Sequence, residues 1–324
     1  MKAMRVQAFG LETPMRLDEV DAPKPAPGEL LVRLNAAGVN PSDVATRSGK
    51  SHHSGHHTPP YVPGLEASGE VIGIGEGVAG FEVGQRVFGA CAGGAYAEVV
   101  RLRAPAAAVV PENMTHEEAA GVTLGLRTAW NALVIKAKAG PGESVLVHGG
   151  AGGVGSAAVQ LARRMGCRVF ATVSSEEKAA FCRKLGAEET IDYRREDFAE
   201  RCLALTGGRG VDVIIECAAF DNFDKDLDAI CVDGRIVVMG AGLGKEQRAG
   251  FRVPAVMTKD ARIFGVTGVN LARKMPEVVP RYLPMLRDGS FKVHLGAVFP
   301  LAEANAAHEL MLSGKFLGKI VLTL

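Results

Sequence analysis

The sequence predicts an α/β chain, a doubly wound parallel sheet joined to a smaller β-rich barrel, and three features predict it. The run SVLVH at 144–148 passes at once into the glycine turn GGAGGVG at 149–155, and then into the helical pattern SAAVQLAR at 156–163. Beyond it, apolar strand runs and amphipathic helical runs alternate up to residue 240, as in a parallel sheet covered on both faces. Before it, residues 1–125 hold short alternating runs broken by proline and glycine, the texture of a barrel.

Taken in order, the early strands are predicted at 30–34, 68–74, 85–88 and 95–100. Thr115 and Glu118 then spell a capping box ahead of Ala119, Ala120, Val122 and Leu126, which predicts a helix leading into the next domain. After the glycine turn come a strand at 168–173, a helix at 176–185, a strand at 190–192 and a helix at 197–205. A strand at 212–217, a helix at 223–230 and a strand at 235–240 continue the series. The apolar run 261–266 supplies a sixth strand at a sheet edge, where an exposed ladder favours pairing and hence a homodimer. Helices at 276–287 and 301–312 and a closing strand at 318–323 return the chain to its first domain. The predicted domains are therefore 1–125 with 268–324, and 126–267.

Gly150, Gly152 and Gly155 satisfy G-x-G-x-x-G between a buried strand and an amphipathic helix, the context in which the pattern signals a dinucleotide site. Gly150 is read as permitting the tight turn, Gly152 as letting backbone approach a pyrophosphate, and Gly155 as letting the helix pack closely. Unpaired amides at the helix start then face the phosphates, and Ala151, Gly153 and Val154 complete the set of residues assigned to the cofactor. Residues 154, 157, 158, 161, 162 and 165 recur on one helical face, which supports the helix independently.

Composition narrows the partners. Thirty-seven basic against 36 acidic residues leave a formal charge of +1, no field to draw nucleic acid or an anionic membrane, so a small molecule is expected. No leader-like start and no apolar run of spanning length occur, which predicts a cytoplasmic protein. The 6 cysteines contain no C-x-x-C pair and read as reduced core thiols. His52, His53, His56 and His57 cluster without a carboxylate or cysteine beside them, and read as a solvated loop, not a metal site.

The segments AAGVNPSD at 36–43, RSG at 47–49, YVPGLEASG at 61–69, HGGAGGVG at 148–155 and GKIVL at 318–322 carry a more specific signal. Through them the chain resembles, over nearly its whole length, the zinc-independent quinone oxidoreductases of the medium-chain dehydrogenase/reductase superfamily, the zeta-crystallin group. The resemblance implies a Rossmann dinucleotide-binding domain and a GroES-like barrel. In the superfamily's zinc alcohol dehydrogenases the first segment supplies a cysteine ligand and the second a histidine ligand; here Asn40 and Leu65 stand there, and the cysteine-dense structural loop between 86 and 111 is missing. No catalytic zinc is expected, and Cys91 reads as a core or pocket thiol.

NAD-selective sites place an acid about twenty residues beyond the glycines to bind the ribose hydroxyls. Here the strand ends ATVSS at 171–175, with Val173 at the place the resemblance gives the acid; Ser174, Ser175 and, one turn on, Lys178 suit NADPH. The resemblance adds Tyr193 beside the adenosine phosphate. Competing readings are a capping box of Ser174 with Glu177, a solvated Lys178 and a strand-end Tyr193. Gly240, ending a strand with 241–244 beyond it, is assigned to the nicotinamide side. Lys319 is a candidate for cofactor phosphate, against a solvated lysine in a closing strand.

Neither a serine nucleophile elbow nor a phosphate loop ending in Gly-Lys-Ser/Thr is present, and hydride transfer asks chiefly for orientation in a dry site. Without a metal the acceptor must already be electron-poor, as quinones and conjugated enones are. The resemblance places Asn40 and Thr128 beside the nicotinamide or substrate oxygen; their plain readings are a turn before Pro41 and helix packing. Asp43 is read as structural, paired with an arginine. Ala45 stands where many relatives carry a tyrosine, which leaves water as proton source. The expectation is an NADPH-dependent, zinc-independent quinone or enone reductase. The alternatives are an enoyl-thioester reductase, since enoyl reductase modules of polyketide synthases share a similar glycine loop, and an NADPH-binding scaffold without turnover.

Overall fold

A computed structural model describes residues 1–51, 54–240 and 248–324. The chain divides into two compact units, Met1–Leu124 with Ala272–Leu324, and Gly125–Leu271.

The first unit opens with β1 (Lys2–Arg5) antiparallel to β2 (Arg16–Glu19). β3 (Glu29–Val39), β4 (Glu66–Ile74), β5 (Arg86–Cys91) and β6 (Val99–Val109) pair in succession, and β6 returns to β3 to close the barrel. Leu30, Val32 and Leu34 alternate inward along β3, the period of two that one buried face demands. The short helix α1 (Pro41–Arg47) follows β3. The strand expected at 95–100 lies further on, as β6. Ala95 and Tyr96 are buried because their backbone bonds distant segments, Tyr96 N to Pro63 O at 3.0 Å and Met4 N to Tyr96 O at 2.9 Å, not because they form a strand. The capping box forms as predicted at α2 (His116–Ala120), with Glu118 N donating to Thr115 Oγ1 at 3.2 Å and Thr115 N to Glu118 Oε2 at 3.0 Å. That helix ends at Gly121, and α3 (Thr123–Trp130) starts afresh where the apolar spacing had suggested one helix.

The second unit is built on β7 (Ser144–Val147), α4 (Gly153–Arg164), β8 (Arg168–Val173), α5 (Glu176–Leu185), β9 (Glu189–Asp192) and α6 (Phe198–Leu205). It continues with β10 (Val211–Glu216), α7 (Ala219–Ala229), β11 (Ile230–Val238), α8 (Val253–Lys259), β12 (Arg262–Gly265) and α9 (Gly268–Leu271). Its six strands are parallel in the order β12-β11-β10-β7-β8-β9, so β12 is the predicted edge strand and the order reverses between β7 and β10. Leu146, Phe170, Ile191, Ile214 and Ile236, all fully buried, form the core that fixes the strand ends. Each such side chain contributes about 1.5–3 kcal/mol relative to exposure.

The tail comprises α10 (Met275–Arg287), β13 (Leu295–Pro300), α11 (Ala304–Ser313) and β14 (Lys319–Thr323). β14 pairs antiparallel with Ala36–Val39 of β3, returning the chain to the barrel unit. All 6 cysteines are free thiols. Among the described residues no helix is long and apolar enough to cross a membrane.

Candidate active site

The glycine turn leaves the carboxyl end of β7 where strand order reverses, the place at which open α/β sheets bind ligands. Gly149, at φ +62°, makes the left-handed turn; the motif had assigned that role to Gly150. Gly150 lacks a side chain for packing instead, because a Cβ there would stand 2.7 Å from Ala171 Cβ and 3.1 Å from Cys182 Sγ. At Gly155 a Cβ would stand 2.2 Å from Gly149 O, so α4 closes directly on the turn. Gly152 differs: its φ of −80° suits any residue, and a Cβ would meet only Gly149 O, at the ordinary distance of 3.4 Å. No neighbour in the turn requires glycine at 152, so its bare face fits a group from outside that must lie against backbone.

The first bond of α4 runs from Ser156 N to Gly152 O at 2.8 Å, which puts the amides of Gly153, Val154 and Gly155 ahead of the helical ladder. Together with the helix dipole they form an anion cradle, with Ala151 buried beneath. The residues fit a diphosphate. α3 abuts this end of α4, since a Cβ on Gly125 would stand 3.0 Å from Gly153 O, and half-buried Thr128 lies about one turn further along the same helix.

At the carboxyl end of β8 the cap of α5 is Ser175, whose Oγ accepts from Lys178 N at 3.3 Å; the box predicted on Ser174 is one residue out. Ser174 Oγ accepts instead from Lys178 Nζ at 3.2 Å. Burial lowers the Lys178 pKa, and the positive charge of Arg194 lowers it further. Exposed Tyr193 precedes Arg194 and donates its N–H to Val173 O at 3.3 Å, so Ser174, Lys178, Tyr193 and Arg194 gather where β8 and β9 end. Arg194 is the member the sequence reading missed; its signal was its place beside Tyr193. Gly240 lies against the end of β10, where a Cβ would stand 2.6 Å from Cys217 O. Residues 241–244 lie outside the described residues, as do His52 and His53. His57 stacks on Tyr61, centroids 4.6 Å apart.

The first unit holds Asn40, 5% exposed at the start of α1. Its Nδ2 donates to Glu66 Oε1 at 3.0 Å and to Gly38 O at 3.4 Å, and its Oδ1 accepts from Lys319 Nζ at 2.7 Å. Both amide protons are engaged, and Oδ1 already accepts from Lys319, so any bond to a bound group is one that Asn40 accepts. Lys319 Nζ also bonds Glu66 Oε1 at 2.7 Å and Val39 O at 3.4 Å. All three ammonium protons have protein acceptors, which corrects the assignment of Lys319 to a cofactor phosphate. Glu66 Oε2 accepts from Leu124 N at 2.6 Å, completing a buried triplet that spacing did not reveal. Asp43 pairs not with an arginine but with Tyr96, whose hydroxyl donates at 3.3 Å, while Asn40 N donates to the same oxygen at 2.9 Å. Burial pushes its pKa to about 7. Arg47 instead bonds Leu11 O at 3.2 Å and Thr13 O at 2.8 Å.

A catalytic zinc does not fit the donor set at Asn40. Leu65 has no ligating atom and the Asn40 amide is engaged as described. Among the described residues, three metal-capable side chains meet only in the second unit, where His148, Glu216 and Asp226 bond one another.

Two family models match: an alcohol dehydrogenase GroES-like domain over residues 26–113 and a zinc-binding dehydrogenase over residues 153–285. The quinone oxidoreductase of Rattus norvegicus is 34% identical over 332 residues, covering 100% of this chain and 98% of that protein. The chain belongs to the quinone oxidoreductase family. Its superfamily is the medium-chain dehydrogenase/reductases, oxidoreductases with the Rossmann sheet and GroES-like barrel described above. The solved quinone oxidoreductase of Escherichia coli, complexed with NADPH, superposes with a TM-score of 0.90 at 29% identity over 100% of both chains. A phenolphthiocerol/phthiocerol polyketide synthase of Mycobacterium tuberculosis is 33% identical over 99% of this chain, which spans 15% of that protein.

Proposed function

We propose that the protein is an NADPH-dependent reductase of quinones or conjugated enones that works without zinc. The observation that carries this reading is Gly152, a glycine without a demand for one from its neighbours, at the mouth of three helix-start amides. The E. coli family member complexed with NADPH supports the coenzyme, and Ser174, Lys178 and Arg194 supply a hydroxyl and two cations suited to a 2′-phosphate.

NADPH bound there supplies a hydride. The chain's part is to hold the diphosphate on the amides of Gly153, Val154 and Gly155, and to seat the adenosine end at Ser174, Ser175, Lys178 and Tyr193. Asn40 and Thr128 are assigned to the reacting groups, Asn40 as an acceptor because its amide protons are engaged. With Lys319 locked to Glu66 and Asn40, that triplet offers no free cation to polarise a simple ketone, so the acceptor must disperse charge by its own conjugation. The free cysteines suit a reducing cytoplasm.

NADPH oxidation measured against a panel of quinones, enones and enoyl thioesters tests the reading. Turnover is expected with quinones or enones; oxidation by enoyl thioesters alone would favour the carrier-linked reading that the polyketide synthase relative raises, and coenzyme binding with no oxidation would leave a scaffold. A homodimer is proposed through the β12 edge, where Ile263, Val253 (60% exposed) and Met257 (70% exposed) present apolar surface. Sedimentation velocity at micromolar protein should give a dimer, and a monomer there would refute it.

A further inference from the structure

Beneath the glycine turn lies a fully buried chain of polar groups that the coenzyme cradle does not itself use. Gly149 N donates to Thr172 Oγ1 at 3.1 Å, and Thr172 Oγ1 lies 3.1 Å from His148 Nδ1. His148 Nε2 lies 3.0 Å from Asp226 Oδ1 and 3.5 Å from Glu216 Oε2, and Glu216 Oε1 accepts from Ala218 N. With Thr172 accepting from Gly149 N and donating its own proton to Nδ1, the neutral ring carries its hydrogen on Nε2 toward Asp226, the tautomer that gives that buried carboxyl a donor. Burial lowers the His148 pKa, which keeps the ring neutral. The two carboxyls and the His148 ring come together with an atom of each within 4.8 Å of the others, and burial pushes both carboxyls up, to about 7, so the pair retains one proton below that range. Their other oxygens, Glu216 Oε2 and Asp226 Oδ2, lack a conventional hydrogen-bond partner, so no further donor stabilises a second negative charge.

The chain reaches several walls of the cradle. Gly150 N bonds Thr172 O at 3.1 Å, Cys217 Sγ bonds His148 O at 3.4 Å, and Ala219 N bonds Gly240 O at 3.2 Å. The remaining groups that face the pair are neutral or distant: Cys217 and Cys202, whose thiols burial holds at about 12, the edge of the Phe198 ring against His148, and the Lys225–Asp197 ion pair at the exposed rim.

We propose that Thr172, His148, Asp226 and Glu216 are positioning residues for the coenzyme loop, and that the proton retained by the two carboxyls is linked to binding of the anionic coenzyme. The inference rests on the NADPH reading above. Loss of that proton places a second negative charge under a loop that must receive a diphosphate, so binding weakens as pH rises through the pair's range and bound coenzyme draws the proton back.

Coenzyme affinity, read from NADPH fluorescence on the full chain between pH 6 and 9, tests it. The wild-type Kd should rise about fivefold or more above pH 7, and Glu216→Gln, which is uncharged and has no proton to lose, should reduce that rise, leaving only the titration of Asp226; the comparison cancels the titration of the coenzyme's own phosphate. At constant pH, Thr172→Val should raise Kd about tenfold, with KM for NADPH rising more than kcat falls, and Thr172→Ser should restore it. If a variant fails to fold, the wild-type profile with NADH, which has no 2′-phosphate, carries the test. A wild-type profile identical to that of Glu216→Gln, a flat wild-type NADH profile, or unchanged affinity in Thr172→Val overturns the proposal. Failure of the wild type to bind NADPH at any pH strikes the functional reading instead.

Discussion

Gly152→Ala is expected to melt within about 2 °C of the wild type and to lose about a hundredfold or more in NADPH affinity. The backbone at 152 is already in a region open to alanine, and the new methyl group meets only Gly149 O at 3.4 Å, so folding has no reason to suffer. The methyl group would occupy the face against which a diphosphate must lie. Gly155→Ala separates the two roles of the motif, because its methyl group would stand 2.2 Å from Gly149 O, and relief requires the turn itself to move. That variant should lose stability as well, by about 1–3 kcal/mol. Thermal unfolding beside a fluorescence titration reads both quantities; normal coenzyme affinity in Gly152→Ala would mean that the backbone there touches nothing.

The second large effect is expected at Lys319. Glu66 is fully buried and its charge partner is the Lys319 ammonium, 2.7 Å away. Lys319→Met leaves that carboxylate uncompensated and should cost about 3–5 kcal/mol in denaturant unfolding. Adding Glu66→Gln to it removes the stranded charge and should recover most of the loss, a coupling that two independent surface residues would not show. Equal stability of wild type and Lys319→Met would contradict the assignment of Lys319 to the barrel interior.

The contrast between Lys319 and the glycine turn shows what a sequence can and cannot carry. β8 and α5 fall where periodicity placed them because a buried parallel strand and an amphipathic helix declare themselves within ten residues. β6, expected at 95–100, instead runs from Val99 to Val109 and passes through a proline, Pro105. Pro105 falls in the register shift of the β5–β6 ladder, between the Leu102–Cys91 and Ala107–Gly89 pairs, and just past Arg103, the last residue paired with β3, where its missing amide proton breaks no pair of either ladder. Asn40, Glu66 and Lys319 meet across separations of 26 and 253 residues, and His148 meets Asp226 across 78, distances at which no local pattern survives. Within the motif itself the glycines were legible as a set, whereas their division of labour required backbone angles: only φ at Gly149 reveals which of them turns the chain.

On the proposed function, binding geometry and the acceptor's own conjugation suffice for reduction, with no metal ion. Single-turnover stopped-flow oxidation of bound NADPH by a quinone, in protein stripped by chelation, puts that to the proof. The rate should be the same before and after stripping; a rate that collapses on stripping and returns with added zinc would show that a metal takes part.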